Sequence, residues 1–225
     1  MSRSARKNST RSTLREAQID YLFRRAALAA VLFDPMGAEA LLKLPDAEVG
    51  RRFKICLARV MGLATVLNLD LRALGEKGET RRSRRKRGAI RRMASRDALV
   101  ADGKLLRAGL LYEALGITEQ RLSKRVAKGR MFGVEIGGEQ YYPAFFLARG
   151  LDRKDLAKVA QQLGGLDGWS KWSFFTRPKE SLGGLTPLQA LLRGDVKQVL
   201  RTAKRFRKLE NGKGPRQRRR SREDN

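Results

Sequence analysis

"GITEQRLSKRVAKGRMFGVEIGGEQYYP", residues 116–143, decides how this chain is read. Thr118 stands where a helix N-cap is wanted, and Gly129 follows Lys128 where a helix would stop. A helix from Thr118 to Lys128 advances 100° per residue, so Leu122 and Val126 share one side. Gln120, Arg121, Lys124 and Lys128 fan across the opposite side, with Arg125 at its edge. "MFGVEI" and "EQYYP" then read as two short strands. Gly137-Gly138 between them supplies the positive φ angles that a tight two-residue hairpin turn needs.

Working outward, "GKLLRAGLLYEALG" predicts a preceding helix from about Leu106 to Leu115. Leu110, Leu111, Ala114 and Leu115 face inward in it, and Gly116 suits its C′ position. Ser95 caps a further short helix through Val100. The "GIT" turn is as short as a helix-turn-helix requires, and the hairpin after it makes the arrangement winged. Arg and Lys bond guanine edges or phosphates, and Gln bonds adenine. Gln120, Arg121, Lys124, Arg125, Lys128 and Arg130 are therefore the candidate DNA contacts, and the wing around Gly137 to Gln140 is a candidate backbone grip. The bland alternative is a solvated basic face, common on exposed helices.

Charge bears on that choice. The chain has 225 residues, 50 Lys or Arg against 23 Asp or Glu, and a formal net charge of +27. Folding gains nothing from such self-repulsion, so an anionic partner is the economical explanation. Nucleic acid comes first and an anionic membrane surface second. No run of about 18 apolar residues predicts a transmembrane helix, and "MSRSARKNSTRST" has no signal-peptide core. Histidine is absent, which removes the commonest general base and metal ligand. The one cysteine, Cys56, permits no internal disulfide and reads as core. An enzyme would need a carboxylate cluster, and Asp97, Asp102 and Glu113 are scattered. Neither catalysis nor a cofactor or metal is expected.

Residues 1–12 are polar and basic and read as a disordered tail. Thr13-x-x-Glu16 fits a capping box, opening a helix with Ile19, Leu22, Phe23, Ala26, Ala30 and Phe33 at helical spacing. "DPMG" breaks it, and a short helix from Ala38 to Leu44 follows. A longer helix starts at Asp46, with Val49, Phe53, Cys56, Leu57, Val60, Ala64 and Leu67 as its expected buried stripe. Residues 13–74 thus form a helical N-terminal unit, read as a packing or dimerisation module. Residues 75–94 are a basic linker. Within it 81–92 hold eight Lys or Arg and no acid, including Arg81, Arg82, Arg84, Arg85, Lys86 and Arg87. This is either a solvated linker or a phosphate-contacting arm, which adds affinity and salt dependence but reads no sequence.

Two resemblances add to this reading. "LYEALGITEQRLSKRVAKGRMFGVEIGGEQYYP", within residues 104–143, resembles the helix-turn-helix and wing of MerR- and excisionase-type DNA binders. "GWSKWSFFTRPKESLGGLTPLQALLRGDVKQVLRTAKRF" is similar to the C-terminal domain of the Xre/MbcA/ParS antitoxin family. Its residues also make sense unaided. Thr186 caps a helix with Pro187 at N1, Leu188, Leu191 and Leu192 pack inward, and Asp195 caps the last helix, with Val196, Val199, Leu200, Ala203 and Phe206 as its stripe. Trp169, Trp172, Phe174 and Phe175 fill the small core. The antitoxin resemblance implies pairing of these domains and a RES-type, NAD-degrading toxin as partner. It assigns Leu182, Gly183, Gly184, Thr186, Pro187 and Leu188 to partner binding. Members of that family usually carry a helix-turn-helix without a wing, so this chain departs from the pattern.

The expected fold is mainly α: helical unit 13–74, winged helix-turn-helix 95–143, helical C-terminal domain 144–209 and disordered basic tail 210–225. The expected function is a bacterial, cytoplasmic, nucleoid-associated DNA-binding protein of the antitoxin or transcription-regulator class, dimeric. The alternative is a sequence-independent RNA-binding or nucleoid-coating protein.

Overall fold

The computed structural model describes residues 3–69 and 96–212, with backbone alone for 3–15, 17 and 18. The linker 75–94, with the arm residues Arg81, Arg82, Arg84, Arg85, Lys86 and Arg87, and the tail from 213 onward lie outside the described residues. Helices dominate, and one small antiparallel sheet accompanies them, as the patterning predicts.

Two compact units divide between Phe53 and Lys54. The first holds α1 (Arg3–Phe33), α2 (Pro35–Leu42) and the start of α3 (Asp46–Val66). α1 runs unbroken from Arg3, so residues 3–12 are helical and Thr13 lies inside the helix rather than at a cap. No Gly or Pro interrupts this span, and Arg, Lys and Ala are good helix formers. Asp34 ends α1 and caps α2 by accepting the Gly37 N–H at 2.9 Å, with Pro35 at N1. The short helix thus begins three residues earlier than the pattern predicts. Phe23 packs on Phe53 with ring centroids 5.3 Å apart.

The second unit contains everything from Lys54. α3 faces its core with Ile55, Ala58, Gly62, Thr65 and Val66. Cys56, Leu57, Val60 and Leu67, expected inside, are exposed, and Ala64 alone of that stripe's second half is buried. The reason is steric. At Gly62 the backbone meets the carbonyl of Ala144 so closely that a Cβ would clash with its oxygen and stand 3.0 Å from its carbon. A helix can approach another backbone this closely only on its small-residue face. Arg59 Nη2 adds a 3.1 Å hydrogen bond to the Ala114 carbonyl, and Gln189 Nε2 donates to the Leu67 carbonyl at 3.2 Å.

Next come α4 (Arg96–Ala101), β1 (Leu105–Arg107), α5 (Ala108–Leu115), α6 (Glu119–Ala127), β2 (Val134–Ile136) and β3 (Glu139–Pro143). The sequence pattern predicts a helix from Leu106, but Leu106 lies in β1, which pairs antiparallel with β3, Leu106 opposite Tyr142, and the helix starts at Ala108. The sheet order is β1-β3-β2, so the hairpin is anchored on its β3 edge by a third strand. The Ala144 N–H donates to the Lys104 carbonyl at 2.8 Å, continuing that ladder. Only Val134 to Ile136 of "MFGVEI" is strand; Met131 and Phe132 are buried in the core.

A 3₁₀ turn (Ala144–Leu147) leads to α7 (Arg153–Gln162), α8 (Gly168–Thr176), a second 3₁₀ turn (Glu180–Leu182), α9 (Pro187–Leu192) and α10 (Val196–Gly212). α10 reaches Gly212, so residues 210–212 belong to a helix rather than to a tail. Thr186 and Gln189 form a reciprocal capping box, 3.1 and 2.9 Å, with Pro187 at N1. Trp169, Trp172, Phe174 and Phe175 are all buried. Their core is not separate from that of the helix-turn-helix. Phe132 stacks on Phe175 at 5.8 Å, and Phe145 lies 5.9 Å from Trp172 and 5.3 Å from Phe175. Arg96 of α4 sits 4.6 Å over the Trp169 ring of α8. Residues 95–143 and 144–209, distinct segments in the sequence, therefore share one hydrophobic core.

Candidate nucleic-acid interface

α6 is fixed from both ends and from beneath. Thr118 is its N-cap; its Oγ1 accepts the Arg121 N–H at 3.3 Å. Gly116 ends α5 in the left-handed conformation at φ 65, which turns the chain sharply into α6. Leu122 is 2 % exposed and Val126 is partly buried, so this face holds the helix on the core. At the far end Gln161 Nε2 of α7 donates to the Lys128 carbonyl at 3.0 Å. The inward pair and the cap are those the sequence predicts.

Gln120, Arg121, Lys124, Lys128 and Arg130 are exposed, and Arg125 is half-buried. Among the described residues no ion pair or side-chain hydrogen bond engages these six side chains. They form a set of hydrogen-bond donors on one face, carrying five positive charges. α6 has nine residues and is thus about 13 Å long, with a helix diameter of about 10–12 Å. The B-DNA major groove is about 12 Å wide.

The wing is less cationic than a backbone grip requires. Gly137 and Gly138 take φ 58 and 80, as the turn demands. Its flanks, however, carry exposed Glu135 and Glu139. Arg107 of β1 answers one of them with a 2.9 Å ion pair to Glu139, whose other hydrogen bond comes from Tyr141 Oη at 2.7 Å. The hydrogen-bond donors at residues 137–140 are thus backbone N–H groups and the Gln140 side chain. At the root of the sheet, burial and the Glu119 carboxylate raise the Tyr142 pKa, so its hydroxyl stays protonated.

The residues assigned to partner binding divide sharply. Leu182, Thr186, Pro187 and Leu188 are buried in the chain's own core, Leu188 completely. They close the bend before α9 and cannot touch a partner while the core is intact. Gly183 and Gly184 remain at the surface, both at positive φ. The sequence reading took residues 182–184 and 186–188 as one surface, whereas only Gly183 and Gly184 of these are exposed.

Cations missed by the sequence reading lie nearby in the fold. The outer face of α10 carries Lys197, Arg201, Lys204, Arg205 and Lys208, all exposed, and α10 packs on α7. Their spacing of i, i+4, i+7, i+8 and i+11 is legible as one helix face. Among the described residues no group of three His, Cys, Asp or Glu side chains is placed to hold a metal ion, and no helix is long and apolar enough to cross a membrane.

No family model matches the chain, and no curated protein or solved structure is significantly similar to it. The two resemblances therefore rest on the quoted residues alone.

Proposed function

We propose that this chain binds duplex DNA, with α6 in the major groove, as a bacterial transcription regulator or antitoxin of the nucleoid-associated cytoplasm. One observation carries the reading: Leu122 pins α6 to the core while Gln120, Arg121, Lys124, Arg125 and Lys128 have no side-chain hydrogen bond or ion pair among the described residues. Side chains so placed gain energy only from an external acceptor, and a net charge of +27 favours a polyanion. Gln120, Arg121 and Lys124 read base edges or bond phosphates; Lys128 and Arg130 hold the backbone beside them.

A dimer belongs to the same proposal. The first unit leaves Tyr21, Leu22, Phe23, Leu28, Val31, Leu32, Phe33, Met36 and Leu42 more than half exposed. At 100° per residue those on α1 are spread around the helix rather than along one face, so a second copy of this unit is proposed to cover part of this apolar surface. The similarity of residues 168–206 to antitoxin domains extends the proposal to a RES-type toxin, with Gly183 and Gly184 as the exposed part of the assigned segment.

Binding by charge alone is the second reading, favoured by the basic stripe on α10. One experiment separates the two. Genomic fragments are selected for binding, and the best is compared with a scrambled duplex in gel shifts at fixed salt. Lys124→Ala with Arg125→Ala should abolish the preference and leave circular dichroism unchanged. Retention of full preference by the folded double variant would remove α6 from the interface, and equal affinity of the wild type for every duplex would favour charge alone.

A further inference from the structure

Behind the C-terminal end of α6 lies a cavity of about 460 Å³, whose rim shares Arg125 and Arg130 with the proposed DNA face. Its floor is apolar: Leu115, Met131, Phe146, Leu156 and Ala157. Met131, Phe146 and Leu156 are 3–6 % exposed, so the floor is part of the core surface. Its rim is cationic and comes from two elements. Arg125 and Arg130 stand at the end of α6, and Arg153, Lys154 and Lys158 on α7.

Two acids stand beside the rim lysines. Asp155 Oδ1 accepts from Lys158 Nζ at 2.8 Å, which holds the Lys158 pKa up. Asp152, just before α7, is occupied in capping the N–H groups of Lys154 and Asp155 at 2.6 and 3.1 Å. Among the described residues Arg125, Arg130 and Arg153 form no ion pair, while Lys154 is attracted by the Asp152 carboxylate. Three arginines without an ion pair, with Lys154 beside them, around an apolar floor are complementary to a molecule with both features. A bare anion leaves the floor wet, and a neutral hydrocarbon leaves the rim unanswered. The volume falls within the usual range of about 300–1,000 Å³ for small-ligand sites.

We propose that this cavity binds a small organic anion, with a flat apolar body on the Met131–Phe146–Leu156 floor and a phosphate or carboxylate head between Arg125, Arg153 and Lys154. The site is built by the junction of α6 with α7, which the Gln161–Lys128 hydrogen bond closes. Its floor, Arg153 and Lys154 have no part in the proposed DNA contact, and only Arg125 and Arg130 are shared with it. A duplex cannot substitute for this ligand, because its bases are stacked and its backbone offers no apolar body.

The test uses the full chain and 2-naphthyl phosphate in isothermal titration calorimetry, without nucleic acid. One saturable site per chain is expected, at least tenfold tighter than for 2-naphthol or inorganic phosphate. Ala157→Trp, which fills the cavity, should weaken binding tenfold or more, and Arg153→Gln with Lys154→Gln about fivefold or more. Equal affinity for 2-naphthol would mean adsorption to exposed apolar side chains, and equal affinity for inorganic phosphate would mean a basic patch alone; either overturns the proposal. So does an unchanged affinity in folded Ala157→Trp. Should that variant fail to fold, unchanged binding by the Arg153/Lys154 double variant overturns it instead.

Discussion

Phe175 offers the sharpest test of how the proposed DNA-reading elements are held. It belongs to α8 but stacks on Phe132, beside the wing, at 5.8 Å, and touches Phe145 at 5.3 Å and Phe174 at 5.5 Å. Its side chain is fully buried. Removing a buried Phe ring to Ala costs about 3–5 kcal/mol, from lost transfer energy and the cavity left behind. Typical total stabilities are about 5–15 kcal/mol, so Phe175→Ala removes a third or more in a middling case. Phe175→Leu keeps most of the volume, with a cost of about 1 kcal/mol. In a unit with one core that loss appears in every element. Native-state hydrogen exchange should therefore show the slowest amides of α5 and α6, Leu111 and Leu122 among them, lose as much protection as those of α8. A guanidinium melt should remain a single transition at lower midpoint with unchanged slope. If α8 amides lose protection in Phe175→Leu while those of α5 and α6 keep theirs, the shared core does not couple the two segments energetically, and the reasoning fails.

Two further outcomes follow from the same structure. Leu32→Asp with Phe33→Asp places charges on the uncovered surface of the first unit, where both residues are more than two-thirds exposed; sedimentation should shift from dimer to monomer with helicity unchanged, and a wild type that is monomeric at high concentration refutes the dimer. Asp152 caps α7, and the N–H groups of Asp155 and Lys154 hold its carboxyl below the usual carboxylate range of about 3.9. Its contribution is therefore present above the unfolded value and lost as pH falls through the lower folded one. Asp152→Ala should melt earlier than wild type at pH 7, and the gap should close in strong acid; a gap that stays constant to pH 2 assigns the loss to something other than the carboxylate.

Much of the candidate site could be read locally. Thr118, Leu122 and the Gly137-Gly138 turn each act within a few residues, so their effects survive without knowledge of the rest of the chain. The same holds for the Thr186–Gln189 capping box with Pro187. The electrostatics of the wing were less legible, because the pairing of Glu139 with Arg107 needs β1, which the local pattern assigns to a helix. "LLRAGLLYEALG" is mostly helix-forming, yet Leu105 to Arg107 pair with β3 as a strand.

By itself, then, the sequence determined the basic character, the mainly helical class, the capped and glycine-terminated α6 and the hairpin after it. These depend on composition, period and turn chemistry, all short-range. Tertiary structure alone decided which face of α3 is buried, because close backbone approach at Ala144 selects Ala58 and Gly62 over the bulkier Leu57 and Val60. It decided that the residues before and after 143 share one core, and that four of the six assigned partner contacts lie inside it. It also gathered Arg125, Arg130, Arg153 and Lys154 around one apolar floor. Such juxtapositions join residues tens of positions apart, and no local pattern encodes them because the packing that creates them is a property of the whole chain.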